Sequence, residues 1–215
     1  MSDNRMTPFV VFCLAVVMIG FGVAAQLLRR WGKSRRGDMY DRLATELGFR
    51  PEPPAADPEV PELAAATLRL AGEREGFHVR VFENASDYIE EGQALEAQTT
   101  LMLWRPGWRL PRFTIEPHSF ATGMRQKVDG NKGMFFPKDE HFTLSCFVDG
   151  PDHNATRACL VPAATALLRD NKRLYVDSRG SALLVFESEK QLPARRIHAL
   201  LDKALHLAKE LQPLA

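Results

Sequence analysis

Two carboxylates and an imidazole stand within the six residues Asp149-Gly-Pro-Asp152-His153-Asn154, where a strand pattern gives way to a helical one. Such junctions often carry ligand-binding or acid–base groups. The same composition is that of a turn followed by an N-cap, in which Asp and Asn accept from the free amides of the first helical turn. The spacing fits no metal loop, so capping is the stronger reading. His118 and His141 flank a long stretch of weak periodicity that a hairpin-like excursion could close, but a metal needs three or four protein ligands and no third is in view. His198 and His206 lie beside the apolar stripe of the last helical stretch and read as solvent-facing.

Other chemical signatures are missing. Gly130-Asn-Lys-Gly133 lacks the Lys-Ser/Thr ending of a phosphate-binding loop, and Gly20-Phe-Gly22 sits inside an apolar run. Neither a nucleophile elbow nor an HExxH helix occurs. Cys13 belongs to the apolar run, while Cys146 and Cys159 fall in apolar patterns, where buried reduced thiols are expected. The sequence therefore assigns no catalytic residue, no cofactor and no metal; the expectation is a membrane-anchored, non-enzymatic accessory or scaffold subunit, with a membrane-bound small-ligand sensor or carrier second and an enzyme built from dispersed residues third.

Binding suits the residues better. The stretch 120–138 interleaves Phe120, Met134, Phe135 and Phe136 with Lys132 and Lys138, a mixture that fits a protein partner or an anionic membrane surface. The rival expectation is that these aromatics enter the domain's own core. Gly20 and Ala24 form a small-xxx-small pair through which another membrane helix could approach closely.

That pair lies in Pro8 to Leu28, twenty-one residues without a charge. As a helix they span roughly 31 Å, the thickness of the bilayer's hydrocarbon. Arg29, Arg30, Lys33, Arg35 and Arg36 follow at once, with Trp31 suited to the headgroup layer. The positive-inside bias then places the N-terminus outside and the C-terminal domain in the cytoplasm, at the cell inner membrane. A cleaved signal peptide ending at Ala25 is the competing reading, but its mature chain would open on a basic cluster that resists export.

Residues 37–215 hold 22 basic against 26 acidic residues, a net charge of −4, so nucleic acid is not an expected partner. Membrane lipids and other membrane protein subunits are. The expected organisation is a short tail over 1–7, a transmembrane helix over 8–28, a basic juxtamembrane segment with a short helix over 29–50, a Pro-rich linker over 51–62 and an α+β domain over 63–215. In that domain, two-residue alternation predicts a hairpin around Gly72–Gly76 and strands at Thr99–Trp104, Arg112–Ile115 and Phe142–Val148. A helix capped by Asp152 or Asn154 should run to Leu168, then a hairpin of Leu174–Val176 with Ala182–Phe186, then a helix from Pro193 with Ile197, Leu200, Leu201, Ala204, Ala208 and Leu211 on one stripe. Strands with helices on one face make an α+β class with an antiparallel-rich sheet.

The phrases YDRLATELGF, LRLAGEREGFHVRVFE, LPRFTIEP, HFTLSCFVDGPDHNATRACL and RLYVDSRGSALLVF, in this order and closed by an amphipathic helix, give a chain that resembles a loosely defined set of bacterial single-pass membrane proteins of unknown function. The resemblance implies an N-terminal anchor and a cytoplasmic α+β domain, and brings no catalytic or ligand-binding residue with it.

Overall fold

The computed structural model describes residues 35–53, 60–66, 69–85, 97–118, 133–187 and 191–214. The membrane helix expected over 8–28 lies outside them, as do Gly20, Ala24, Arg29, Arg30, Trp31, Lys33, Phe120 and Lys132. Among the described residues no helix is long and apolar enough to cross a membrane. The chain forms two compact units, Met1–Arg42 and Leu43–Ala215. In the first, residues 35–42 are described and helical, with the Arg36 guanidinium 5.4 Å from the centre of the Tyr40 ring. This helix, α1, continues to residue 47 in the larger unit.

The larger unit is built on an eight-stranded antiparallel sheet in the order β1-β2-β3-β4-β8-β7-β5-β6. Its strands are β1 (Arg50–Pro51), β2 (Arg69–Arg74), β3 (Phe77–Ala85), β4 (Ala97–Trp104), β5 (Phe113–Pro117), β6 (Cys146–Asp149), β7 (Leu174–Ser178) and β8 (Ala182–Glu187). Helices α2 (Glu62–Ala65), α3 (Glu140–Ser145), α4 (His153–Cys159), α5 (Pro162–Asp170) and α6 (Ala194–Glu210) complete it. The α+β class and the antiparallel sheet are those expected.

Register explains which residues share a face, because side chains directly opposite in a ladder point the same way. Val79, Leu103 and Leu183 form one such row, and Val81, Leu101 and Val185 the next. This face is covered by α6, which buries Ile197, Leu200, Leu201, Ala204 and Leu205. The alternate row of Met102 and Leu184 points to the opposite face, where it packs with Phe82, Ala182, Val60, Leu63 and Ala66. Helix α2 thus seals a second, smaller core. The expectation of helices on one face is corrected: an antiparallel sheet with apolar residues of both parities in β4 and β8 must be covered on both sides there.

Three local expectations change as well. The β2–β3 turn is the two-residue Glu75–Gly76, both with positive φ (54° and 81°), which matches the strand twist of a tight hairpin; Gly72 stays inside β2 opposite Val79. Residues Phe142 to Ser145 are helical rather than extended, because Asp139 accepts from the Phe142 amide at 2.9 Å and starts α3. The single helix expected to reach Leu168 is two, since Pro162 lacks the N–H a continuing helix needs and instead opens α5. Asp152 does cap α4, accepting from the amides of Asn154 and Ala155 at 3.0 and 2.9 Å.

The stretch expected to act as a linker is built into the domain where it is described. Arg50–Pro51 pairs with β2, and Val60 is fully buried. Glu52 holds Arg80 at 2.8 Å, and the Arg80 guanidinium lies 4.7 Å over Trp104. The buried Arg69 side chain donates to the carbonyls of Ala66, Ala64 and Pro53, satisfying groups left open where α2 ends.

Candidate functional site

A cleft of about 810 Å³ opens where the end of α5, the start of β7, the end of β8 and one side of α6 meet. Each wall is placed for a local reason. Helix α5 ends at Asp170, and Asn171 closes it by donating from Nδ2 to the Leu167 carbonyl at 2.7 Å. Arg169, Lys172 and Arg173 therefore gather at a helix C-terminus, where exposed carbonyls favour cations.

On the opposite wall, Arg196 and Lys203 stand seven residues apart on α6, two turns along one side. Both reach Glu187, whose position one step beyond Val185's neighbour in β8 turns it toward α6. The Glu187 side chain is 7 % exposed; it accepts from Nη2 of Arg196 and, at 3.3 Å, from Nζ of Lys203. One buried carboxylate thus fixes two cations whose own side chains are about a third exposed, at 30 % and 36 %.

Behind Glu187 a polar strip secures the turn into α6. Thr99, in β4 opposite Glu83, accepts from the Leu192 amide at 3.0 Å, and Gln191 donates to the buried Glu83 at 3.3 Å. Gln98 donates to the Glu187 carbonyl at 3.2 Å. These bonds set where α6 begins and hence where Arg196 and Lys203 stand.

The third wall is α3, which contributes His141 and Ser145. The Ser145 hydroxyl donates to the His141 carbonyl at 2.7 Å, a back-bond within the helix that leaves no serine–histidine pair of side chains. Asp139, at the start of the same helix, is joined at 2.8 Å by the Thr165 hydroxyl and lies 3.8 Å from Arg169. Burial opposes its ionisation, but the Phe142 amide, that hydroxyl and Arg169 outweigh it and hold the carboxyl below its usual pKa. Cys146 and Cys159 are free and buried, as expected, and burial pushes both thiols up to about 12, with the charge of Asp139 adding to the effect at Cys146. They are poor nucleophiles at neutral pH. The chemistry the cleft offers is the binding of an anion.

The residues expected to meet a partner are divided by the structure. Residues 133–136 run alongside β6, the Met134 amide donating to Val148 at 2.8 Å, so that successive side chains alternate. Met134 and Phe136 turn inward, 3 % and 7 % exposed, and Phe136 meets Phe142 edge-on at 4.9 Å. Their assignment to a partner surface is corrected: they belong to the core. Phe135 is 54 % exposed and Lys138 is exposed. Of the basic cluster, Arg35 and Arg36 are described, in α1.

Leu144 is an exposed apolar residue the sequence reading missed, since a strand over Phe142–Val148 would have buried it with Phe142. The basic cleft was missed too, its cations being spread from Arg169 to Lys203 with no motif spacing. His118 and His141 do not line it together, and His198 is paired with Glu46 at 2.9 Å.

No protein-family model and no curated protein sequence matches this chain. Among solved structures, the crystal structure of the mycobacterial trehalose monomycolate transport factor A, TtfA, is similar with a TM-score of 0.53 and 15% sequence identity, over 83% of this chain and 97% of that one. At that identity the likeness is one of fold: the α+β architecture is shared along nearly the whole length of the transport factor.

Proposed function

We propose that this chain is a membrane-anchored, non-enzymatic accessory subunit, a scaffold that holds an α+β domain at the cytoplasmic face of the inner membrane against a larger membrane protein complex. Its likeness to loosely defined bacterial single-pass proteins belongs to the same proposal. The observation that carries it is an uncharged run of twenty-one residues and a basic flank, set ahead of a domain whose fold is also that of a transport factor. In this reading Gly20 and Ala24 form the helix-packing side, Arg29 to Arg36 meet anionic lipid, and Phe135 with Lys138 remains as the domain's apolar-plus-cationic contact.

The test is topology followed by composition. Reporter fusions at Met1 and Ala215 should place the C-terminus in the cytoplasm, and mild-detergent purification should retain a stoichiometric membrane subunit. That subunit should be released more fully by Gly20→Leu with Phe135→Ala than by either change alone. A C-terminus on the far side of the membrane, a mature chain beginning at Gln26, or purification as a chain without subunits would each refute it. The cleft favours one second reading, a membrane-bound carrier or sensor of a small anionic ligand, marked by a retained small molecule instead.

A further inference from the structure

We infer that the cleft between α5 and α6 is a binding site for phosphate esters, the chemistry shared by a phospholipid headgroup and a soluble phosphomonoester. Its walls bring Arg169, Lys172, Arg173, Arg196 and Lys203 together against the two carboxylates of Asp170 and Glu187. With Asp139, 3.8 Å from Arg169 at the start of α3, counted as well, five cations meet three carboxylates, an excess of two positive charges in a region of the chain, residues 37–215, whose net charge is −4. Charge of one sign gathered in a concave site is focused by its low-dielectric walls, and a cleft is where that focusing acts on a ligand.

The carboxylates do not cancel the excess. Glu187 is a single charge shared between Arg196 and Lys203, so it orders both and leaves one positive charge over. Asp170 is 72 % exposed and 3.6 Å from Arg169, a rim contact screened by water. Guanidinium groups offer planar forks that match phosphate oxygens, while ammonium groups act as point charges; the cleft presents both kinds.

Size and surroundings narrow the ligand further. A volume of about 810 Å³ is that of a small-molecule site, far more than a bare anion fills. Besides its charged groups the lining holds the apolar Leu174 and the exposed Ala199 of α6. An organic group esterified to the phosphate has an apolar surface to rest on.

The full chain in phosphatidylcholine nanodiscs tests this. In one arm glycerol 1-phosphate is titrated and followed by phosphorus NMR line width. In the other, phosphatidylglycerol replaces part of the phosphatidylcholine and amide hydrogen exchange is followed over residues 169–174. Saturable binding is expected in at least one arm, weakening as salt is raised. Lys172→Gln with Arg173→Gln should weaken it about thirtyfold at low salt, the effect of two cations near an anionic group. Arg109→Gln with Arg112→Gln removes the same charge from exposed positions beside the β7–β8 turn, at the other end of these strands, and should leave binding unchanged. Glu187→Gln, which keeps an acceptor for Arg196 while removing the opposing charge, should tighten it.

A response to glycerol 1-phosphate alone identifies a soluble ester, and one to phosphatidylglycerol alone a lipid headgroup. Silence in both arms, equal loss in the two double variants, or binding of acetate as tight as that of glycerol 1-phosphate overturns the inference. The soluble arm does not depend on a partner complex, so failure here and failure of the accessory reading are separate results.

Discussion

Gly72→Ala should unfold this domain more easily even though alanine is the better strand residue. Gly72 lies inside β2 opposite Val79, and Phe49, the residue that follows the turn after α1, is 5 % exposed and lies against it. A Cβ at position 72 would stand 2.1 Å from Cδ1 of Phe49 and 2.6 and 2.7 Å from Cε1 and Cγ. Carbon atoms pack at about 3.5–4.0 Å, so the ring must retreat by roughly 1.4 Å from a site where it is already buried. Overpacking of this kind costs about 1–3 kcal/mol, against which removing a strand glycine returns roughly 0.5–1 kcal/mol. The centres of these ranges leave a net loss of about 1 kcal/mol, rising to about 2.5 kcal/mol if the ring cannot move.

Urea unfolding of the full chain, followed by far-UV circular dichroism and tryptophan fluorescence, measures it. Phe49→Leu alone should cost about 1 kcal/mol through lost burial, but the double variant should be more stable than the sum of the single losses by about 1 kcal/mol, because the smaller side chain vacates the space the new methyl needs. A neutral or stabilising Gly72→Ala, or strict additivity in the cycle, would refute the close approach of Phe49 to β2.

Three further outcomes check other parts of the structure. Phe136→Ala should destabilise the domain by about 3 kcal/mol while Phe135→Ala stays within about 0.5 kcal/mol in the same assay, and equal losses would contradict their opposite burial. The depressed pKa of Asp139 means that its contribution is complete above the usual carboxylate range and is lost as pH falls through and below about 4, so the stability gap between the native chain and Asp139→Asn should narrow on acidification; a gap that widens would be the wrong sign. With Cys13 replaced by Ser, Cys146 and Cys159 should resist iodoacetamide at pH 8 until the protein is unfolded, and labelling of the native protein at free-thiol rates would show that they are not buried.

What the sequence by itself determined is what repeats within a few residues. The stripe from Ile197 to Leu211 returns as α6 and its C-cap, the alternation of Leu174–Val176 and Ala182–Phe186 returns as the β7–β8 hairpin, and Asp152 caps a helix as its neighbours required. Each is a local period or a local hydrogen bond, readable without knowing what lies opposite. Pro162 carries an equally local signal, which the expectation of one helix to Leu168 passed over, and it splits the α4–α5 stretch.

The tertiary structure decided what local pattern leaves degenerate. Phe142, Leu144, Cys146 and Val148 alternate like a strand, yet Asp139 bonds both the Phe142 amide and Thr165, twenty-six residues away, and the first of these residues become helix. Met134 and Phe136 were sorted from Phe135 only by pairing with β6, and the second core under α2 required β4 to meet β8 across some eighty residues. The cleft is the furthest from the sequence. Its cations come from a helix end, a turn and a second helix, and only the fold sums charges that are scattered along the chain into one field.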